Sequence, residues 1–119
     1  MWHAEGARRS LEEALAHVSA RERVSLRARL AALIERRLDN HPMPPSSWVR
    51  EGGLPHGSGS FYAIRKLPLR CYCWVEDGTL CISHYIYKNR QKLDATDARQ
   101  VEESWRERRR STNQRGSLQ

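Results

Sequence analysis

Apolar residues in the second half of the chain alternate with polar ones at the period of a β-strand, and those in the first half recur at the period of a helix. Two strand-like runs, residues 69–75 and 79–87, flank Asp77-Gly78. Asp-Gly between apolar runs is a strong local signal for a hairpin closed by a type I′ turn. With that dipeptide as the loop, Glu76 pairs with Thr79, Val75 with Leu80, Trp74 with Cys81, Cys73 with Ile82, Tyr72 with Ser83 and Cys71 with His84. Cross-strand partners share a face. One face then carries Cys71, Cys73, Val75, Leu80, Ile82, His84 and Ile86, and reads as core. The other carries Arg70, Tyr72, Trp74, Cys81, Ser83, Tyr85 and Tyr87, and is the face expected to meet a ligand.

Residues 61–67 read as a preceding strand, with Phe61, Ala63 and Arg65 on one side and Tyr62, Ile64 and Lys66 on the other. Pro68 ends it, and a three-stranded antiparallel meander is the simplest arrangement. Upstream, Ser10-Leu-Glu-Glu13 and Ser19-Ala-Arg-Glu22 are both capping-box sequences, and they open helices over about 10–18 and 20–38. The longer helix shows Val24, Ala28, Ala31, Ile34 and Leu38 along one stripe, widened by Leu26, Leu30 and Leu33. Asn40-His-Pro-Met-Pro-Pro stops it, because proline lacks the amide donor and clashes with the preceding turn. Residues 41–60 are rich in Pro, Gly and Ser and read as an irregular connection. Pro55-His-Gly-Ser-Gly-Ser60 is not a P-loop, since no Gly-Lys-Ser/Thr follows. Asp94 or Thr96 caps a last helix, 95–110, that sets Ala98, Val101 and Trp105 on one side, Trp105 anchoring it on the sheet. Residues 1–9 show no clear pattern and read as frayed, and the basic, polar tail 111–119 reads as disordered.

Composition narrows the partners more than the fold. At 119 residues the chain reads as one α+β domain over 1–119. A formal charge of +7 and a pI near 9.9 favour an anionic partner, nucleic acid or acidic protein. Lys66, Lys88 and Lys92 all lie near the sheet, and Arg21, Arg23, Arg27, Arg29, Arg36 and Arg37 line the long helix. That arginine-rich side reads first as a solvated face, with RNA or an acidic protein as the functional alternatives. No apolar run approaches the roughly 20 residues of a membrane span, and MWHAEGARRS has no signal-peptide stretch, so a cytoplasmic location away from membranes is expected. Three cysteines argue against a disulfide framework. The hairpin register puts Cys81 opposite Cys71 and Cys73, against a metal site, and the thiols read as small buried hydrophobes.

Residues 61–65, 70–74 and 82–92, in this order and spacing, resemble the RelE/ParE superfamily of toxins from type II toxin–antitoxin systems, especially its HigB-like, phage-associated group. The resembling features are an aromatic-x-hydrophobic-Arg strand, an Arg-bearing strand, a hairpin, and a hydrophobic strand with His or aromatic residues running into a basic segment. The likeness covers about the C-terminal half. Ala63 stands where the family often has an acidic residue, and Asn89 where it has a basic one. The implied fold is a RelE-like helical hairpin over 10–38, packed with an antiparallel sheet of three or four strands over 61–87 and a C-terminal helix.

The resemblance implies an endoribonuclease that needs no metal or other cofactor and cleaves mRNA, often on the ribosome, by attack of a ribose 2′-hydroxyl on the adjacent phosphate. Arg65 and Arg70 are then the phosphate clamp, because a guanidinium binds two phosphate oxygens at once. Lys88 and Lys92 stabilise charge or transfer protons, and Tyr87 shares in proton transfer or stacks a base. Lys66, Tyr85 and Arg90 are implied RNA contacts. The structural alternatives pair Arg65 and Arg70 with Glu76, Asp94 or Asp97, leave Lys88, Arg90 and Lys92 solvated, and make His84 a hydrogen-bonded core residue. A cognate antitoxin, often a helix-turn-helix DNA-binding protein, is the implied partner. The rival functions are a ParE-like inhibitor of DNA gyrase and a phage-derived RNA- or protein-binding module without activity.

Overall fold

The Asp77-Gly78 signal is realised in full. Both residues have positive φ, 49° and 76°, the type I′ requirement, and they join a strand at Leu69–Glu76 to one at Thr79–Tyr87. The computed structural model describes residues 1–88 and 93–117, with side chains through Thr112. In chain order the elements are β1 (Trp2–His3), α1 (Ala7–Leu15), α2 (Ala20–Leu38), β2 (Trp48–Gly53), β3 (Ser60–Lys66), β4 (Leu69–Glu76), β5 (Thr79–Tyr87) and α3 (Ala95–Ser117). Among the described residues the fold is α+β, three helices on a five-stranded sheet ordered β1-β5-β4-β3-β2. The expected meander is its middle, and the sheet is mixed because β1 joins β5 in parallel.

Two layers of core lie on opposite faces. On one, Leu15, Leu26, Leu30 and Ile34 of the N-terminal helices meet Ile64, Leu69, Cys71, Cys73, Leu80, Ile82 and Tyr85 of the sheet. On the other, Val101 and Trp105 of α3 meet Phe61, Ala63, Tyr72, Trp74 and Cys81. Fully burying an aliphatic side chain such as Leu30 stabilises by about 1.5–3 kcal/mol. A sheet sandwiched in this way must be apolar on both faces, which is why β4 is buried from Leu69 through Trp74.

The structure corrects the sequence expectations about these elements at several points. Residues 1–9 are not frayed: Trp2 and His3 pair with Cys81 and Ile82, and Ala4 and Ala7 are buried. Ser10 caps no helix, because α1 already begins at Ala7. Its hydroxyl donates to the Ala7 carbonyl at 2.6 Å and accepts the Tyr85 N–H at 2.9 Å, satisfying the edge of β5 beyond the short β1. α2 has the expected bounds, but of the expected apolar positions only Leu26, Leu30 and Ile34 are fully buried, and Val24 is left 76% and Leu38 45% exposed. Residues 41–60 contain a strand, β2, antiparallel to β3. The sheet therefore has five strands rather than three or four. α3 continues to Ser117, past Arg110.

The helix signals otherwise work through backbone and arginine rather than side-chain caps. Ser19 stands at the N-cap of α2 without a side-chain cap bond. Arg23 Nε donates to the Leu15 and Val18 carbonyls, each at 2.9 Å, so a cation from α2 closes the carboxyl end of α1. At the other end of α2, Asn40 takes a left-handed conformation, φ 58°, and the His41 N–H reaches back to the Arg36 carbonyl at 2.9 Å. Asp94 does cap α3 as expected, its Oδ1 accepting the Thr96 N–H at 2.8 Å, and that bond holds its carboxyl below the usual range.

Candidate active site

A single bulge decides what faces what. β4 and β5 keep the expected register from Glu76–Thr79 to Cys73–Ile82, and then Ser83 is skipped, so that Tyr72 pairs with His84, Cys71 with Tyr85 and Arg70 with Ile86. Beyond the bulge every β5 side chain changes face relative to a regular ladder. His84 moves to the α3 side and Tyr85 to the N-terminal helices, the reverse of the expected placement.

On the α3 side the face is apolar around Trp74 and Tyr72 and turns charged towards the β3–β4 turn. Arg65 and Arg70 are directly opposed partners of β3 and β4 on this face. Like charges so placed repel, and a fold keeps them together against that cost. Arg70 is fully buried. Its Nη1 lies 3.9 Å from Oε1 of Glu51, whose side chain is 9% exposed. Arg65 Nε is buried and meets no hydrogen-bond acceptor among the described residues. Glu51 is delivered by a second bulge, between Arg50 and Gly52 of β2. Gly52 is needed there, because a Cβ would sit 2.8 Å from the Phe61 ring.

Electrostatics converge on that carboxylate. Burial pushes the Glu51 pKa up, and Arg70, Arg65 and Lys88, in that order, pull it back without cancelling the rise. Lys88 follows β5, and its N–H donates to the Pro68 carbonyl at 2.7 Å, which pins the strand end beside the β3–β4 turn. Three cations thus surround one carboxylate, an arrangement with positive charge to spare for an anion. Next along β4, Tyr72 is fully buried, and burial raises its hydroxyl to about 12 while the adjacent Arg70 works against the rise. That hydroxyl makes no well-formed hydrogen bond among the described residues.

His84 closes the row. Its ring stands 5.1 Å from that of Tyr72, Nε2 lies 3.0 Å from Asp97 Oδ1 and Nδ1 lies 2.8 Å from Ser83 Oγ. Ser83 Oγ also lies 2.8 Å from Ser104 Oγ. The bulge turns Ser83 and His84 to the same side, so β5 is bolted to α3 by consecutive polar residues. With both ring nitrogens engaged, His84 is a hydrogen-bonded buried residue that positions α3.

Arg65, Arg70 and Lys88 are therefore brought together. Lys66 points to the other face but joins Arg65, Ser46, Ser47 and Leu67 around a concavity of about 390 Å³ at the strand end. Tyr85 is a correction: it is 6% exposed in the N-terminal core, where burial raises its hydroxyl pKa, and it cannot stack a base there. Tyr87 lies on that same face, 39% exposed and stacked on His17 at 4.9 Å, away from the arginine pair. Arg90 and Lys92 lie outside the described residues. Glu76, Asp94 and Asp97 do not take the arginines: Glu76 receives Arg108 and Arg109, and Asp97 receives His84. The cysteines are buried thiols, Cys81 opposite Cys71 and Cys73 as the register required.

Glu51 is the member of the cluster that the sequence pattern missed. Glu51 stands in a segment with no alternation, between glycines and prolines, and only the β2 bulge aims it. Among the described residues no helix is long and apolar enough to cross a membrane, and no three His, Cys, Asp or Glu side chains converge as metal ligands. Against family models, curated proteins and solved structures, the chain has no match.

Proposed function

We propose that the chain is a metal-independent endoribonuclease, the toxin of a type II toxin–antitoxin pair, acting on mRNA at the Arg65–Arg70–Glu51–Lys88 cluster. The observation that carries the reading is the opposed Arg65–Arg70 pair beside a carboxylate of raised pKa. The part-exposed Arg65 offers forked donors to the non-bridging oxygens of a phosphodiester, where negative charge grows in the transition state, and the buried Arg70 behind it holds Glu51 and adds positive charge to the site. Glu51 takes the proton from the ribose 2′-hydroxyl. The 2′-oxygen then attacks phosphorus and the bond from phosphorus to the 5′-oxygen breaks, leaving a 2′,3′-cyclic phosphate and a 5′-hydroxyl. The 5′-oxygen takes its proton from the Lys88 ammonium or from water.

The motif resemblance supports the toxin role, and the α+β architecture, with helices on both faces of the sheet, is in keeping with a RelE-like fold. An antitoxin that covers this cluster, and the ribosome as the place of cutting, belong to the same proposal. Induced expression of the wild type beside Arg65→Ala, with mapping of cellular mRNA 5′ ends, tests it. Growth arrest with new cuts, both lost in the variant, is the expected result. Arrest without cuts points to a gyrase-type target, and no arrest points to a binding module.

Glu51 sets the expected pH dependence. A base acts when deprotonated, so cleavage rises with pH through the Glu51 pKa, and burial places that limb above the ordinary glutamate value of 4.5. Glu51→Gln removes the limb and lowers cleavage by about 10²–10⁴-fold. The stability sign is opposite. With the folded pKa above the unfolded one, Glu51 favours folding below the unfolded value and loses that contribution as pH rises through the folded value. Melting of the Gln variant against wild type across this window is expected to show a relative gain at the higher pH.

A further inference from the structure

The arginines of α2 are not equivalent. Arg23 is held by the carbonyls at the end of α1, Arg27 by Glu12 at 2.8 Å, Arg36 by the Pro42 carbonyl at 2.7 Å, and Arg37 lies over the Trp48 ring at 4.6 Å. Among the described residues, Arg21 and Arg29 have no such partner. Both are exposed, and they stand eight positions apart with Ser25 between them, so they share one side of the helix about 12 Å apart along its axis. That side lines a concavity of about 490 Å³, whose other wall is the Leu67–Pro68 turn. Leu67, 55% exposed, also borders the smaller concavity that contains Arg65 and Lys66. Arg65 in turn belongs to the cluster around Glu51. Shared residues therefore connect three neighbouring features into one cationic path.

We propose that single-stranded RNA leaving the Arg65–Arg70–Glu51 site crosses the Leu67–Pro68 turn beside Lys66 and lays its backbone on Arg21 and Arg29 in the groove against α2. The inference rests on the ribonuclease reading and extends it to an exit track. Cations spaced along a groove follow a phosphate backbone, and the exposed Leu67 gives an unstacked base an apolar surface between the two charged segments. Glu22, the one carboxylate on the groove wall, opposes binding.

The test uses 2′-O-methyl RNA, which lacks the attacking hydroxyl, in lengths of about 4 and about 16 nucleotides. Binding is measured against salt for wild type, the double variant Arg21→Ala/Arg29→Ala, and Glu22→Gln. For the long RNA the double variant is expected to bind about tenfold more weakly, with a salt slope smaller by about 1.4 for two lost phosphate contacts. Glu22→Gln binds it more tightly, and the short RNA binds all three proteins alike. A wild type that cleaves RNA while all three proteins bind the long strand equally overturns the exit track and leaves the active site standing. A wild type that neither cleaves RNA nor binds either length overturns both.

Discussion

Arg70→Ala is expected to lower RNA cleavage by about 10²–10³-fold, the effect of removing a preorganised cation that holds Glu51 and adds positive charge behind the phosphate site. Arg70 is fully buried, opposes Arg65 across the strand pair and reaches Glu51 at 3.9 Å, so its guanidinium is held in place before substrate arrives. Alanine also leaves the Glu51 carboxylate with less compensation in a buried setting, and losing one partner of such a pair costs about 3–5 kcal/mol. Arg70→Lys separates the two effects. It keeps a cation beside Glu51, yet a single ammonium cannot take the place of the planar guanidinium that fixes the carboxylate against Arg65. Single-turnover cleavage paired with thermal melting reads both quantities: the lysine variant is expected to melt close to wild type and still cleave poorly. Wild-type cleavage by a folded Arg70→Ala protein would take the arginine pair out of the chemistry.

Trp74→Ala is expected to cost the fold about 3–5 kcal/mol through packing alone. Its ring is fully buried between the sheet and α3, 6.1 Å from the Trp2 ring, and its Nε1 donates to Glu76 Oε1 at 3.3 Å. Glu76 also takes Arg108 at 3.4 Å and Arg109, and those arginines lie over Trp2 at 5.5 Å and Trp105 at 4.5 Å. One indole therefore ties β1, β4 and α3 at the hairpin end. Against a total stability of about 5–15 kcal/mol, its loss removes a large share, and the melting temperature is expected to fall on the order of 10–20 °C. Urea unfolding checks the size, and Trp74→Phe is expected to recover most of it. An alanine variant within 1 kcal/mol of wild type, an amount roughly that of a single hydrogen bond, would contradict the packing described for this layer.

Legibility followed the locality of the signal. The hairpin was readable because Asp77-Gly78 states its own turn, and the long helix because Asn40 and the prolines after it state its end. Faces were harder. The stripe of Val24, Ala28, Ala31, Ile34 and Leu38, widened by Leu26, Leu30 and Leu33, is too broad to show its own centre, and contact with β3 selects Leu26, Leu30 and Ile34. The Ser83 bulge leaves no trace in the pattern because Ser83 and His84 are both polar, yet it exchanges the faces of His84 and Tyr85. β1 is two residues long and exists only where β5 offers it an edge. Around Glu51, the neighbourhood of Arg65 and Arg70 was recoverable from strand order. Glu51 was not, since a bulge inside a Pro/Gly-rich segment is a tertiary device rather than a sequence period.

The most direct measurement incubates purified protein with an RNA carrying one mapped cut site, and with the same RNA bearing a single 2′-deoxy nucleotide on the 5′ side of that cut. The account predicts cleavage of the first alone, with 2′,3′-cyclic phosphate and 5′-hydroxyl ends, lost in Glu51→Gln and Arg70→Lys. Cleavage of the deoxy substrate, 5′-phosphate ends, or full activity in the Glu51→Gln protein would contradict it.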